Sequence, residues 1–384
     1  MLDDLMSRLR GDPDYHREMS NIHKASFFDS QRRGAEKWRN GRWTCMHPQC
    51  SKEAIGSHTL QKSNSLQAIA EGSTATSAVV VSPHFNPATG DTIGTNLSYA
   101  NASVFPGFCG DHDRDLFLHL EETVGTPDTL GMLMQCSRTF CRERLALVHA
   151  WDTARIGCEQ MVNNQNTATA ARLTSMAGTP LSEISGYDET ARFHYLPDRL
   201  RQIRLGASAQ AMFLNSFDKI VGSIGDFFCD QTKVPQIFVK SWAVSSLLDF
   251  ALSGADDIGL PDAPIPMFYF VMPRSGVTHM SAFCHIEDEP ILETLLASKK
   301  IGDLKPGADG GPLFRFFEQL MINRTNHWFL RPSTWARLPD DAKARLLEDV
   351  NRHDASIYGR GSEIFPVPNG LQVTRSETWR PLAP

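Results

Sequence analysis

Over the first two-thirds of the chain, apolar positions recur mostly at intervals of three and four, the period of a helix with one buried face. Leu116, Phe117 and Leu120 mark such a face on a helix predicted to start near Asp111, where Asp111 and Asp113 suit an N-terminus. Pro127 and Asp128 open a second helix, predicted to run to about residue 164. Met212, Phe213, Phe217, Ile220 and Ile224 mark the later part of a long or kinked helix over 189–228. The last third changes rhythm. Residues 236–244, 267–272 and 277–286 read as strands, with Arg274-Ser-Gly276 as a hairpin turn. On the third strand His279, Ser281, Phe283 and His285 alternate onto one face. Helices at 289–298 and 312–321 follow, then an aromatic-rich stretch at 326–338, and Pro339-Asp-Asp341 caps a last helix.

Two stretches interrupt the helical part. Between residues 54 and 90 the pattern predicts a short strand carrying His58, a helix with Leu60, Leu66 and Ile69 inward, a valine strand at 77–82 and a turn at 86–90. Residues 164–188 are rich in Thr, Ala, Ser and Gly, the composition of a flexible connection. The chain therefore reads as α+β, mainly helical. It divides into a helical basic lead-in (1–42), a module (43–125), a helical region (126–232) and a C-terminal α+β domain (233–384). That last domain is expected to hold a small antiparallel sheet packed with helices.

A chain of 384 residues with 41% hydrophobic and 21% charged residues is long and apolar enough to bury a core. Its net charge of −6 gives no general attraction to nucleic acid, so such binding needs a local basic patch. Arg32, Arg33, Lys37, Arg39 and Arg42, with Trp38 and Trp43 interleaved, supply one for DNA or RNA; the alternative is a solvated helix face whose tryptophans pack on the module. No apolar run is long enough to span a membrane, and the charged start MLDDLMSRLR lacks a signal core, so a cytoplasmic setting is expected. A protein partner or homo-oligomer stays open.

The eight cysteines are then better read as metal ligands or small core residues than as a disulfide framework. Cys45-x4-Cys50 brackets a turn containing His47, and Cys109-x-x-His112 opens a helix. Together Cys45, Cys50, Cys109 and His112 are the right types for one tetrahedral zinc. Cys136-x4-Cys141 repeats the first spacing on a predicted helix. There, five residues turn through about 500°, so the sulfurs point roughly 140° apart and cannot share an ion. His279 and His285 lack a third ligand, and His149 and Trp151 read as packing residues. Residues 305–311 lack the Gly-Lys-Ser/Thr ending of a phosphate loop, and no nucleophile elbow or dinucleotide fingerprint is present.

The order of knuckle, strand histidine, Asn-containing loop and Cys-x-x-His at a helix start resembles the zinc-containing HNH, or ββα-metal, endonucleases. The resemblance covers residues 43–122. It implies phosphodiester hydrolysis, with His58 as general base, Asp113 holding a catalytic magnesium or manganese, and Asn101 or Asn96 orienting the site. Ser57 stands where that family has Asp, Glu or His. The rival reading is a non-catalytic interaction or sensor protein in which zinc only holds the fold.

Overall fold

The computed structural model describes residues 2–74, 77–86, 89, 91–123, 125–184, 211–260, 262–347 and 363–381. The chain forms two compact units: residues 1–41, 87–90 and 147–211, and residues 42–86, 91–146 and 212–384.

The first unit is helical. Asp12 caps α2 (Pro13–Asn40) by accepting from Asp14 N at 2.8 Å, and Pro13 occupies the first turn, where a missing N–H costs nothing. Its predecessor α1 (Leu2–Arg10) buries Leu5 and Leu9 with Tyr15, Met19 and Leu173. The partner of α2 is the later part of α5 (Thr129–Ala177). Their seam is built from small residues. Ser26, Ser30 and Gly34 recur every fourth residue and are buried. A Cβ on Gly34 would meet Thr153 at 2.8 Å, and one on Gly157 would meet Ser30 at 2.7 Å, so the two backbones come too close for larger side chains. Tyr15 Oη lies 2.8 Å from Thr169 Oγ1, and Arg172 binds Glu18 and Asp12 at 2.7 Å each. Within the basic run, Arg32 and Arg33 share Asp29 at 2.6 and 2.8 Å, and Lys37 lies 3.8 Å from Asp152.

α5 corrects the expected connection at 164–188, because the helix continues to Ala177. Thr, Asn and Ser are indifferent helix formers. Here Thr169 and Leu173 are fully buried, and that packing outweighs propensity. Residues 185–210, which include the start of the helix expected at 189–228, lie outside the described residues; its later part is present as α6 (Asp218–Cys229).

The second unit is organised by an eight-stranded antiparallel sheet. In chain order its strands are β2 (Val79–Phe85), β3 (Thr92–Ser98), β5 (Ile237–Val244), β6 (Phe250–Asp257), β7 (Pro266–Arg274), β8 (Val277–His285), β9 (Trp328–Leu330) and β10 (Val373–Trp379). Their order across the sheet is β10-β5-β8-β7-β6-β9-β2-β3. The β7–β8 turn has Ser275 and Gly276 both at positive φ (49° and 84°), the hairpin geometry whose twist suits the flanking strands. One face, including Met267, Tyr269, Val271, Met280 and Trp328, packs on α7 (Glu289–Ser298) and α8 (Gly311–Asn323). On the other face Phe268 meets Phe140 of α5 and Phe217, with ring centroids 5.3 and 4.8 Å apart.

This sheet is larger than the small C-terminal one expected, and it is not confined to residues 233–384. Its β2–β3 edge comes from residues 79–98 and joins through Val81 opposite Leu330. Val80 and Val81 are buried there. Their valine pattern identified a strand but carried no information about which sheet it would enter.

Two further strands stand apart. β1 (Gly56–His58) and β4 (Val104–Pro106) form an antiparallel ladder with Ser57 opposite Phe105, and α4 (Gly110–Glu122) follows. The α+β class is therefore observed, with an antiparallel sheet and a strand pair leading into a helix beside the cysteine-rich segment.

Candidate metal centre

Residues 43–54 fold into a knuckle because backbone groups pair across it. Cys45 N donates to Lys52 O at 2.9 Å, Ala54 N to Trp43 O at 2.8 Å, and Cys50 N to His47 O at 3.0 Å. Met46 N and Ile55 N then donate to Gly107 O and Phe108 O, tying the knuckle to the segment that enters α4. Gly107 leaves room for the Phe105 ring: a Cβ there would lie 2.4 Å from it. Cys109 occupies the N-cap of α4, and His112 stands one turn on.

These elements bring four ligand atoms, from Cys45, Cys50, Cys109 and His112, within 4.8 Å of one another. His112 Nδ1 lies 3.4 Å from both Cys45 Sγ and Cys109 Sγ, and Cys50 Sγ lies 3.9 Å from Cys109 Sγ. Zinc bonds of about 2.3 Å to sulfur and about 2.05 Å to nitrogen give tetrahedral edges of roughly 3.8 Å (S–S) and roughly 3.6 Å (S–N). These three distances match within a few tenths of an ångström. A disulfide would need about 2.05 Å between sulfurs. Four soft or borderline donors at these spacings can hold a metal ion such as zinc.

The surroundings of the four donors differ. Burial pushes the Cys45 thiol up to about 11, whereas the backbone N–H of His112 holds the Cys109 thiol down. A bound cation would favour the thiolate at both. His47, inside the turn, is not part of the four-residue group. Its ring lies flat on that of His112, centroids 3.9 Å apart and 7° from parallel, and it hydrogen-bonds the Phe228 carbonyl of α6.

His58, at the end of β1, is half-buried, and its Nδ1 lies 2.9 Å from Ala102 O. That bond makes Nδ1 the protonated nitrogen and leaves Nε2 as the acceptor. Burial lowers its pKa, and Arg138 and Lys62 push the same way against Glu121. Ser57, its neighbour, is fully buried, and its hydroxyl accepts from Phe108 N at 3.1 Å. It serves the fold and does not fit a magnesium site. Asp113 is 24% exposed, and its buried Oδ1 accepts no hydrogen bond and lies 3.8 Å from Arg138. Asn101 is exposed in the turn just before Ala102, and Asn96 is exposed on β3 opposite Val81.

Thus four expected ligands converge, while His58 and Asp113 do not join that group and share Arg138 as a charged neighbour. That arginine is 2% exposed, lies 4.0 Å over the Phe117 ring and donates to Glu121 Oε1 at 2.7 Å. Sequence reading missed both Arg138 and Glu121. The available signal was an arginine set within an apolar helical run, a buried cation that a carboxylate must answer. Gln61 and Arg274, also missed, hold the C-terminal carbonyls of α4: Gln61 Nε2 donates to Leu120 O and Glu121 O at 3.0 Å, and Arg274 Nη2 to Leu120 O at 3.2 Å.

Among the described residues the other cysteines and histidines join no group that could hold a metal ion. Cys136 and Cys141 are buried, and burial raises both thiols. His279 is held down to about 4 by burial, and His285 caps the turn before α7 by accepting from Glu287 N at 3.3 Å. No family model, curated protein or solved structure matches the chain. Among the described residues no helix is long and apolar enough to cross a membrane.

Proposed function

We propose that residues 43–122 are a zinc-clasped module of HNH type that hydrolyses phosphodiester bonds in DNA or RNA. In this reading Cys45, Cys50, Cys109 and His112 hold a structural zinc and His58 is the general base. The observation that carries it is the state of His58: a strand-end imidazole with one nitrogen fixed by Ala102 O, the other left as acceptor, and a pKa lowered by burial. Such a group takes a proton from water across neutral pH. The ladder of β1 and β4 followed by α4 supports the same reading, since it supplies the ββα order the resemblance calls for.

A magnesium or manganese ion would offset charge on the scissile phosphate. Asp113, with Glu121, is the proposed α4 carboxylate ligand, and both pair with Arg138. The basic run from Arg32 to Arg42 is the proposed contact for the nucleic-acid backbone, weakened where Asp29 answers Arg32 and Arg33.

A second reading, a zinc-stabilised interaction protein without catalysis, is favoured by Ser57, whose hydroxyl is spent on Phe108 N. The two separate in one experiment. The full chain is incubated with DNA and RNA in magnesium or manganese, beside His58→Ala, with zinc measured in both. The nuclease reading expects cleavage that falls by at least about a hundred-fold in the variant at unchanged zinc content. Zinc at one per chain with no cleavage of either polymer, or cleavage indifferent to His58→Ala, leaves the non-catalytic reading.

A further inference from the structure

At one end of the large sheet, far along the chain from the clasp, lies a cleft of about 400 Å³. The last residues of β6, the start of β7, the last turn of α7 and one face of α8 enclose it. That volume is in the range of small-molecule sites. Its floor is apolar: Met267 is fully buried, Phe316 and Leu320 are 5% exposed, and Leu295 and Ile258 pack against the same core.

The polar groups around this floor divide into two sets. Asp256 and Arg324 pair at 3.4 Å. Asp257 Oδ1 accepts from Gly259 N and Ile265 N, both at 2.9 Å, and Ser298 Oγ donates to Leu295 O at 2.6 Å. The last carbonyls of α7 are likewise occupied, by Lys300 N, Ile301 N and Gly302 N at 2.9 to 3.2 Å. Three side chains remain: among the described residues Lys299 makes no ion pair, and Gln319 and Asn323 make no side-chain hydrogen bond. An apolar bed with one uncommitted cation and two uncommitted amides has a defined complement. It is a body of hydrocarbon or aromatic character ending in one negative charge. With Asp256 answered by Arg324, the Asp257 carboxylate at the rim disfavours a second negative charge and so disfavours phosphorylated ligands.

We propose that this cleft binds a small monocarboxylate, its apolar body over Met267, Phe316 and Leu320 and its carboxylate at Lys299 with Gln319 and Asn323 as hydrogen-bond donors. The site is independent of the clasp and of the nuclease reading. It would make the C-terminal half a ligand-responsive part of the protein, because a ligand that binds only the folded chain stabilises it by mass action.

The test is calorimetric titration of the full chain with octanoate, 1-octanol and octyl phosphate as probes. Octanoate is expected to bind, with the neutral alcohol and the more highly charged phosphate each at least about ten-fold weaker. Lys299→Gln should weaken octanoate by about ten-fold, leave octanol unchanged and not alter the ligand-free melting temperature. Ser298→Trp, which fills the cleft from its rim, should weaken all binding. Absence of octanoate binding to the native chain overturns the proposal. So does equal or tighter binding of octanol or octyl phosphate, or full octanoate affinity in Lys299→Gln.

Discussion

The clasp and the interior between α5 and the sheet contain the same residue types and use them oppositely. In the clasp, three cysteines and a histidine meet within 4.8 Å. In the interior, Cys136, Cys141, His279 and His327 are each buried, and among the described residues none of them belongs to a group of metal-ligating side chains. Cys45-x4-Cys50 and Cys136-x4-Cys141 have identical spacing. The first spans a backbone turn closed by Cys50 N to His47 O, so both sulfurs face inward. The second lies on a helix, where the same spacing separates them around the axis. Spacing alone therefore does not define a metal site; the backbone path between the residues does.

The strongest way to break this contrast is to remove a ligand. Cys109→Ala should abolish zinc binding and with it on the order of 10 kcal/mol of metal-linked folding free energy, seen as loss of the metal and of the cooperative melting transition. Retention of one zinc per chain in Cys109→Ala would show that the clasp is wrongly assigned.

A second, smaller effect belongs to the interior histidines. His279 is held down to about 4 by burial and by Arg274 and Arg375. In the unfolded chain it titrates near 6.5. Between those values the unfolded chain binds the extra proton, so stability is full above about 6.5 and falls as pH drops toward 4. The loss approaches on the order of 3 kcal/mol at that single residue. Denaturant melts of the native chain and of His279→Gln from pH 7 to pH 4 measure it. An equal acid slope in both would remove His279 as the source.

The smallest effect sharpens the pairing of the two cysteine motifs. Cys136→Ser should leave zinc content unchanged and cost about 1–2 kcal/mol, because a buried hydroxyl must be accommodated where a thiol was. Loss of zinc in Cys136→Ser would mean that the helical pair feeds the metal centre after all.

Much of the fold was legible. The strands near 237–244, 266–274 and 277–285 follow from alternation and the Ser275-Gly276 turn, and α7 and α8 from helical period and starting prolines. β6 was not read, because Phe250–Asp257 mixes small and acidic residues among its apolar ones. The length of α5 was not read either, since its Thr- and Asn-rich end is held by packing on α2 rather than by propensity. At the candidate site the four clasp residues were legible from residue type together with the turn and helix start that carry them. Arg138, Glu121 and the inward turn of Ser57 were not, because each depends on which neighbours a side chain meets.

By itself, the sequence determined what the clasp is made of. Thiolate and imidazole donors at Cys45, Cys50, Cys109 and His112 have a chemistry that holds wherever they meet. Only the tertiary structure decided where the 45 residues between His58 and Val104 go. The hairpin that separates β1 from β4 is not a closed loop of the module, since it delivers β2 and β3 to the edge of a sheet whose other strands begin at residue 237. Ligand identity is a local property of side chains. Strand pairing is a choice among all available edges, settled by which one buries Val80 and Val81.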